Sequence, residues 1–287
     1  MVIDSETNLL YLADCLHEKH PKFFSDLKSI LTNCNIQFEL LPQTKDIWAV
    51  DYMPIQVSDS KFIQFTYDPD YLKYKKWLNT ISDVDSICNT IGINTIKSNI
   101  VLDGGNIIKA MDKVIMCDKV FFENKTPKKQ LSSELRELFE VDKLYFIPQQ
   151  PKDFTGHADG MVRFINSDTV IINDNSKENK DFQRALKIVL ANAELEYIEI
   201  PYNPYNNKND SQANGIYINY LEMENVIIIP TFGINEDDMV IKQFEQLFIG
   251  KTIKAIDSNE IADKGGILNC ITWNIKQCKT ESLNSLI

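Results

Sequence analysis

Arginine is nearly absent from this chain: Arg136, Arg163 and Arg184 are the only three, and lysine supplies the rest of the positive charge. Few side chains are therefore available to hold a carboxylate or phosphate through a bidentate fork. Positive charge is short overall, with 30 Lys and Arg against 41 Asp and Glu, a net charge of −11 and a pI near 4.8. That balance repels phosphate backbones and anionic lipid, so neither nucleic acid nor a membrane is an expected partner, and a cationic ligand is favoured by steering. No apolar run reaches the roughly 20 residues that span a bilayer, and MVIDSETNLLYLAD lacks the basic start and long apolar stretch of a signal peptide. The expectation is a cytoplasmic protein. Six cysteines (Cys15, Cys34, Cys88, Cys117, Cys270 and Cys278) form no CxxC pair and no metal-ligand spacing, so they read as free thiols and no metal is expected. No Gly, Ser or Pro tract divides the chain, and residues 1–287 read as a single domain.

What is present is a packed core, with 44% hydrophobic residues, and a repeated order of elements. LLYLAD (9–14) has strand character, PKFFSDLKSILTNC (21–34) has helical spacing after a proline start, and IQFELLP (36–42) returns to strand. IWAVDYMPIQV and KFIQFTY pair as strands across a Ser-Asp-Ser turn. Helices over 81–91 and 130–140, then DFQRALKIVLANA and MVIKQFEQLFI, are each followed by further strand signals. The pattern is one helix, one lone strand and one hairpin, repeated five times.

A period of about 57 residues suggests modules stacked around an axis. In each unit the first hairpin strand carries one polar or reactive residue inside an apolar run: Asp51, Asp103, His157, Asn219 and Cys270. If rotation relates the modules, these positions converge at one end of the axis. An Asp, an Asp, a His with its neighbour Asp159, an Asn and a Cys then share one pocket. The alternative is five coincidental polar residues in apolar strands.

Each residue also has a bland assignment. A cysteine is a nucleophile when a cation stabilises its thiolate, yet an isolated cysteine is usually a small buried hydrophobe. Phase with His157 lifts Cys270 above that assignment; Cys278, out of phase, keeps it. His157 can exchange protons near neutral pH, whereas His17 and His20 flank a helix start with no third metal ligand in view. Cys-His with a single carboxylate would fit acyl transfer. Here three acids accompany the thiol and oppose its ionisation unless the ligand is cationic. A planar guanidinium satisfies two carboxylates and presents its carbon to sulfur.

On DIWAVDYMPIQ (46–56), LDGGN (102–106), GHADG (156–160), NGIYINYLEMENVIIIPTFG (214–233) and GGILNCIT (265–272), the chain resembles the guanidine-modifying (pentein) superfamily. The nearest resemblance is to its agmatine deiminase and bacterial-type peptidylarginine deiminase family. It implies an α/β fold, a five-module pseudosymmetric propeller. It further implies Cys270 as nucleophile, His157 as general acid and base, and Asp51 and Asp159 as the guanidinium clamp. Asp103 supports the histidine, and Trp48, with Asn219 from the repeat, borders the substrate. The chain departs from the family's WxRDxGP pattern at Val50 and Met53, and Asp103 is shorter than the Glu frequent there.

The expected reaction is hydrolytic deimination without a cofactor, on a small cationic guanidine. Agmatine ranks first, since free arginine needs a cation for its α-carboxylate and only Arg163 lies near a motif. Peptidylarginine or another guanidine ranks second, amidinotransfer third, and a non-catalytic binding protein of the same fold stands as the alternative class. A homo-oligomer is compatible with the sequence.

Overall fold

The structure, a computed structural model, describes residues 1–73 and 78–277. Among them fifteen strands form five sheets of three strands each. One module shows the plan of all. Strand β3 (Ile55–Gln56) pairs antiparallel with β4 (Phe62–Thr66), the chain crosses over through helix Val84–Thr90, and β5 (Thr95–Val101) pairs parallel with β4. The next modules are β6 (Ile108–Lys109), β7 (Lys113–Cys117) and β8 (Lys143–Ile147), then β9 (Val162–Phe164), β10 (Thr169–Asn173) and β11 (Glu196–Ile200). The fourth holds β12 (Leu221–Glu222), β13 (Val226–Thr231) and β14 (Thr252–Asp257). The fifth is completed across the whole chain: β15 (Thr272–Ile275) pairs antiparallel with β1 (Leu9–Ala13), which pairs parallel with β2 (Gln37–Leu41). This closes a five-module α/β propeller.

Burial follows from place in the module. The middle strands β1 and β7 are buried at every residue, while third strands such as β2 and β11 are mostly exposed until their last residue, Leu41 or Ile200, turns inward. Crossover helices present apolar residues four apart to the sheets: Phe23, Leu27 and Leu31 in Pro21–Asn33, Leu131, Leu135 and Phe139 in Lys128–Phe139, and Phe182, Leu186 and Leu190 in Lys180–Asn192. Helix starts are chemically marked, by Pro21 in the first turn of one and by the Asn179 side chain accepting from the Phe182 amide in another.

Two expectations need correction. The repeat is real, but its unit is cut elsewhere: the lone strand after each helix belongs with the hairpin before that helix, because the crossover returns it parallel to the hairpin's second strand. Strand β5 itself escaped the reading, since TIKSNIV carries little alternation. The five phased residues also do not sit on the first hairpin strands. Asp51 lies in a single helical turn, Ala49–Tyr52; Asp103 and His157 immediately precede the short 3-10 turns Gly104–Asn106 and Ala158–Gly160; Asn219 and Cys270 stand just before β12 and β15. Strand interiors point side chains to alternate faces. Turns at the strand mouths instead bring Asp51, His157, Asn219 and Cys270 to one cavity, with Asp103 hydrogen-bonded to His157 behind it.

Candidate active site

These turns surround a cavity of about 1480 Å³ lined by Asp51, His157, Asp159, Asn219, Cys270 and Trp48. Asp103 stands one layer behind it, against the far side of the imidazole. His157 is buried between two carboxylates, with Nε2 2.8 Å from Asp103 Oδ2 and Nδ1 3.5 Å from Asp51 Oδ1. Burial opposes its charge, but Asp51 and then Asp103 outweigh that and push its pKa up to about 9. The site therefore holds an imidazolium at neutral pH. Asp51 receives the Gly105 amide at 3.1 Å, and burial pushes its own pKa up to about 7.

Glycine is required at this turn for space. A Cβ on Gly105 would lie 2.7 Å from both Asp51 Oδ1 and His157 Nδ1, and one on Gly104 would lie 1.9 Å from the Val50 carbonyl oxygen. The DGG motif is therefore a packing surface for two site residues as well as a tight turn.

The opposite wall is built on amides. Asn219 Oδ1 accepts from the Asn269 and Cys270 backbone N–H groups at 3.0 and 3.4 Å, while its Nδ2 lies 3.3 Å from Cys270 Sγ. Asn269 donates to Asp159 Oδ2 at 2.7 Å, which leaves that oxygen 3.6 Å from the sulfur. The Val50 amide donates to the Cys270 carbonyl at 3.3 Å, tying the first wall to the second. Burial, then Asp159 and Asp51, hold the Cys270 thiol well above its ordinary pKa. Burial likewise raises Asp159. Two carboxylates and a protonated thiol in one buried cluster form a receptor for positive charge. Trp48 packs its ring beside Gly266, where a Cβ would lie 2.5 Å from Cζ3.

Arg163, the one arginine near a motif, does not line the cavity and so does not meet a substrate carboxylate there. It is buried beneath the cysteine loop, donating to Asp4 Oδ2 at 2.7 Å, the Tyr220 carbonyl at 3.1 Å and Asn269 Oδ1 at 3.2 Å. Its guanidinium braces Asn269 and does not line the cavity. His17 is at the surface; His20 pairs with Glu260 at the cavity rim. Cys15, Cys34, Cys88 and Cys117 are free thiols away from the cavity lining, and Cys278 lies outside the described residues.

Sequence reasoning missed Asn269, Lys119, Tyr67 and Tyr71. Asn269 had a signal, adjacency to Cys270 in LNC; Lys119 had a weaker one, a lone pair of polar residues in KVIMCDKVFF. The two tyrosines line the cavity from the segment after β4, Tyr71 in the short 3-10 turn Asp70–Leu72, with no sequence pattern to mark them.

A family model described as Porphyromonas-type peptidyl-arginine deiminase matches residues 9–275. A Mycoplasma mycoides protein bearing a provisional agmatine deiminase name is 22% identical over 233 residues, 69% of this chain and 64% of the relative. The chain thus spans under two thirds of that relative's length. Among solved structures, an agmatine deiminase from C. jejuni superposes with a TM-score of 0.78 at 18% identity, covering 96% of this chain and 95% of the other. An amidinotransferase from Microseira wollei superposes at 0.62 with 11% identity, covering 97% and 98%. These superpositions place the fold among the penteins.

Proposed function

Since the chain belongs to the Porphyromonas-type peptidyl-arginine deiminase family, we propose that it is a cytoplasmic hydrolytic deiminase of a small guanidinium, with agmatine the first candidate. The observation that carries the reading is a buried thiol, an imidazole and two carboxylates lining one cavity: Cys270, His157, Asp51 and Asp159. Asp51 and Asp159 hold the guanidinium edges through charge-assisted hydrogen bonds. The bound cation offsets the carboxylates that disfavour the thiolate, so sulfur loses its proton to water as the guanidinium docks. Sulfur then adds to the guanidinium carbon. Collapse breaks one C–N bond as His157 gives its proton to the departing ammonia, leaving a covalent thiouronium. His157, now neutral, takes a proton from water, the hydroxide adds to the same carbon, and the C–S bond breaks as the hydroxyl proton passes to sulfur, leaving a ureido product and the free thiol. Asp103 holds the imidazole in place, and Asn219 holds the cysteine turn.

Agmatine is supported by the lining, where acids such as Asp46, Asp153, Glu178 and Asp263 outnumber lysines, and by the engagement of Arg163 beneath the floor. One observation favours a second reading, peptidylarginine: the cavity, at about 1480 Å³, greatly exceeds a five-carbon amine. The purified protein is to be incubated with agmatine, arginine and an arginine-containing peptide while ammonia and ureido product are measured. Release from agmatine, abolished by Cys270→Ala, is the expected result. No release from any of the three, or release that survives the substitution, sinks the reading.

A further inference from the structure

Behind His157, outside the cavity lining, runs a buried row of alternating charge. Asp103 is its centre. Among the described residues its Oδ1 has no hydrogen-bond partner, so its whole accepting capacity falls on Oδ2. Three donors converge there: His157 Nε2 at 2.8 Å, Lys119 Nζ at 3.0 Å and the Tyr71 hydroxyl at 3.5 Å. Lys119 is itself buried at the end of β7, and one helical turn, Val120–Glu123, folds Glu123 back to 3.1 Å from the same ammonium. The Tyr71 ring covers the pair on the cavity side, 4.9 Å from Lys119 Nζ and edge-on to the imidazole. Lys119 does not line the cavity, and it reaches the site only through Asp103 and the Tyr71 ring.

We propose that Lys119 is a positioning residue that sets how tightly His157 holds its proton, by competing for the single oxygen through which Asp103 binds the imidazole, with Glu123 setting how strongly it competes. A buried Asp103 carboxylate needs a cation beside it. With Lys119 present, His157 can release its proton and leave that carboxylate compensated. Without Lys119, the imidazolium is the sole full charge partner of Asp103 among the described residues, and deprotonation strands a buried anion. The other charged groups facing the imidazole, Asp51 and Asp159, both favour the proton, so Lys119 is the cation that opposes them. A deiminase histidine must give a proton and then take one within a single turnover. An imidazole held only by three carboxylates would resist the first step, and Lys119 relieves that.

The assignment rests on the proposed deiminase reading for its purpose, but its test does not need turnover. The chain has three histidines, so the imidazole of His157 can be followed by NMR titration of the histidine-labelled full-length protein and identified by its loss in His157→Gln. Lys119→Met should raise the titration midpoint by about one pH unit, tenfold in the imidazolium equilibrium. Lys119→Arg keeps the charge and should restore it. Glu123→Gln, which frees Lys119 to bind Asp103 more fully, should lower the midpoint, and this variant decides the matter if Lys119→Met fails to fold. A lysine that merely stabilises the fold would leave the midpoints in place; an unmoved or lowered midpoint in Lys119→Met, or an unmoved or raised one in Glu123→Gln, overturns the proposal. If the deiminase reading alone is wrong, the wild-type protein releases no ammonia while these shifts persist.

Discussion

His157 ties the chemistry of the site to the stability of the fold. Its pKa is raised from 6.5 to about 9 in the folded protein, burial opposing and Asp51 and Asp103 prevailing. A raised value for a base means the folded state binds the proton more tightly than the unfolded chain. The stabilisation is therefore complete below pH 6.5 and is lost as pH rises through about 9. The shift corresponds to ~3 kcal/mol. Asp51, raised from 3.8 to about 7 mainly by burial, acts in a lower window: its ionisation costs the folded state nothing below 3.8 and its full penalty above 7. Chemical denaturation between pH 6 and 10 should show the protein losing stability as pH rises. His157→Gln should flatten that slope in the upper part of the range, and an unchanged slope would mean the imidazole is not held as a cation. Much at this scale was legible in the sequence. Asp51, His157, Asn219 and Cys270 reach one cavity because they are the polar residues at equivalent points of a repeat, Asp159 reaches it as the second neighbour of His157, and Asp103, also in phase, stands behind the imidazole. Lys119 and Asn269 left only faint marks, a polar pair in an apolar run and adjacency to Cys270, because they act through Asp103 and Asp159 and neither keeps the phase of the repeat.

At the scale of elements, the turns before the inner strands carry the site and the strands only fix where the turns begin. The segment 102–107 illustrates this: Leu102 and Ile107 are buried in the core, and between them Gly105 fits against Asp51 and His157, Gly104 against the Val50 carbonyl, and Asp103 bonds the far side of the imidazole. Gly105→Ala should push apart two side chains that a Cβ would approach to 2.7 Å. The expected outcome is a loss of about 100-fold in kcat/KM, as for an ångström-scale misplacement of catalytic groups, with the denaturation midpoint little changed. Equal loss of stability and activity would instead mark the turn as a folding element. The helical spacings of Pro21–Asn33, Lys128–Phe139 and Lys180–Asn192 were readable because four-residue periodicity is local. The turns were misread as strand because apolar residues crowd them from both sides, and periodicity cannot tell an apolar turn at a propeller's axis from an apolar strand.

At the scale of the molecule, closure is the long-range event. Trp273 of β15 packs against Tyr11 at 5.2 Å and Phe62 at 6.2 Å between ring centroids, and its indole N–H donates to the Pro54 carbonyl at 2.8 Å. One side chain thus joins the last strand to the first sheet and to the turn that follows Asp51. Trp273→Ala should cost about 3–5 kcal/mol, as for other buried large-to-small changes, read as a fall in the denaturant midpoint. A cost under about 1 kcal/mol would mean that β15 is not what seals the ring. No local pattern announces this pairing, since its partners are Leu9 and Ile275 and the hydrophobicity of each strand alone permits many others. The neighbouring contact adds a pair of reciprocal bonds, Asn8 to Gln277 and Gln277 to Asn8.

Vectorial synthesis gives that closure a further meaning. A ribosome delivers β1 and β2 first and β15 last, so the sheet begun earliest is finished latest, and until then β1 offers an unpaired edge. Cys270 sits two residues before the strand that covers this edge. The thiol is therefore set among Asp51, His157 and Asp159 only by the same docking that removes the exposed edge, and a growing or truncated chain lacking β15 presents an aggregation-prone strand and no assembled nucleophile.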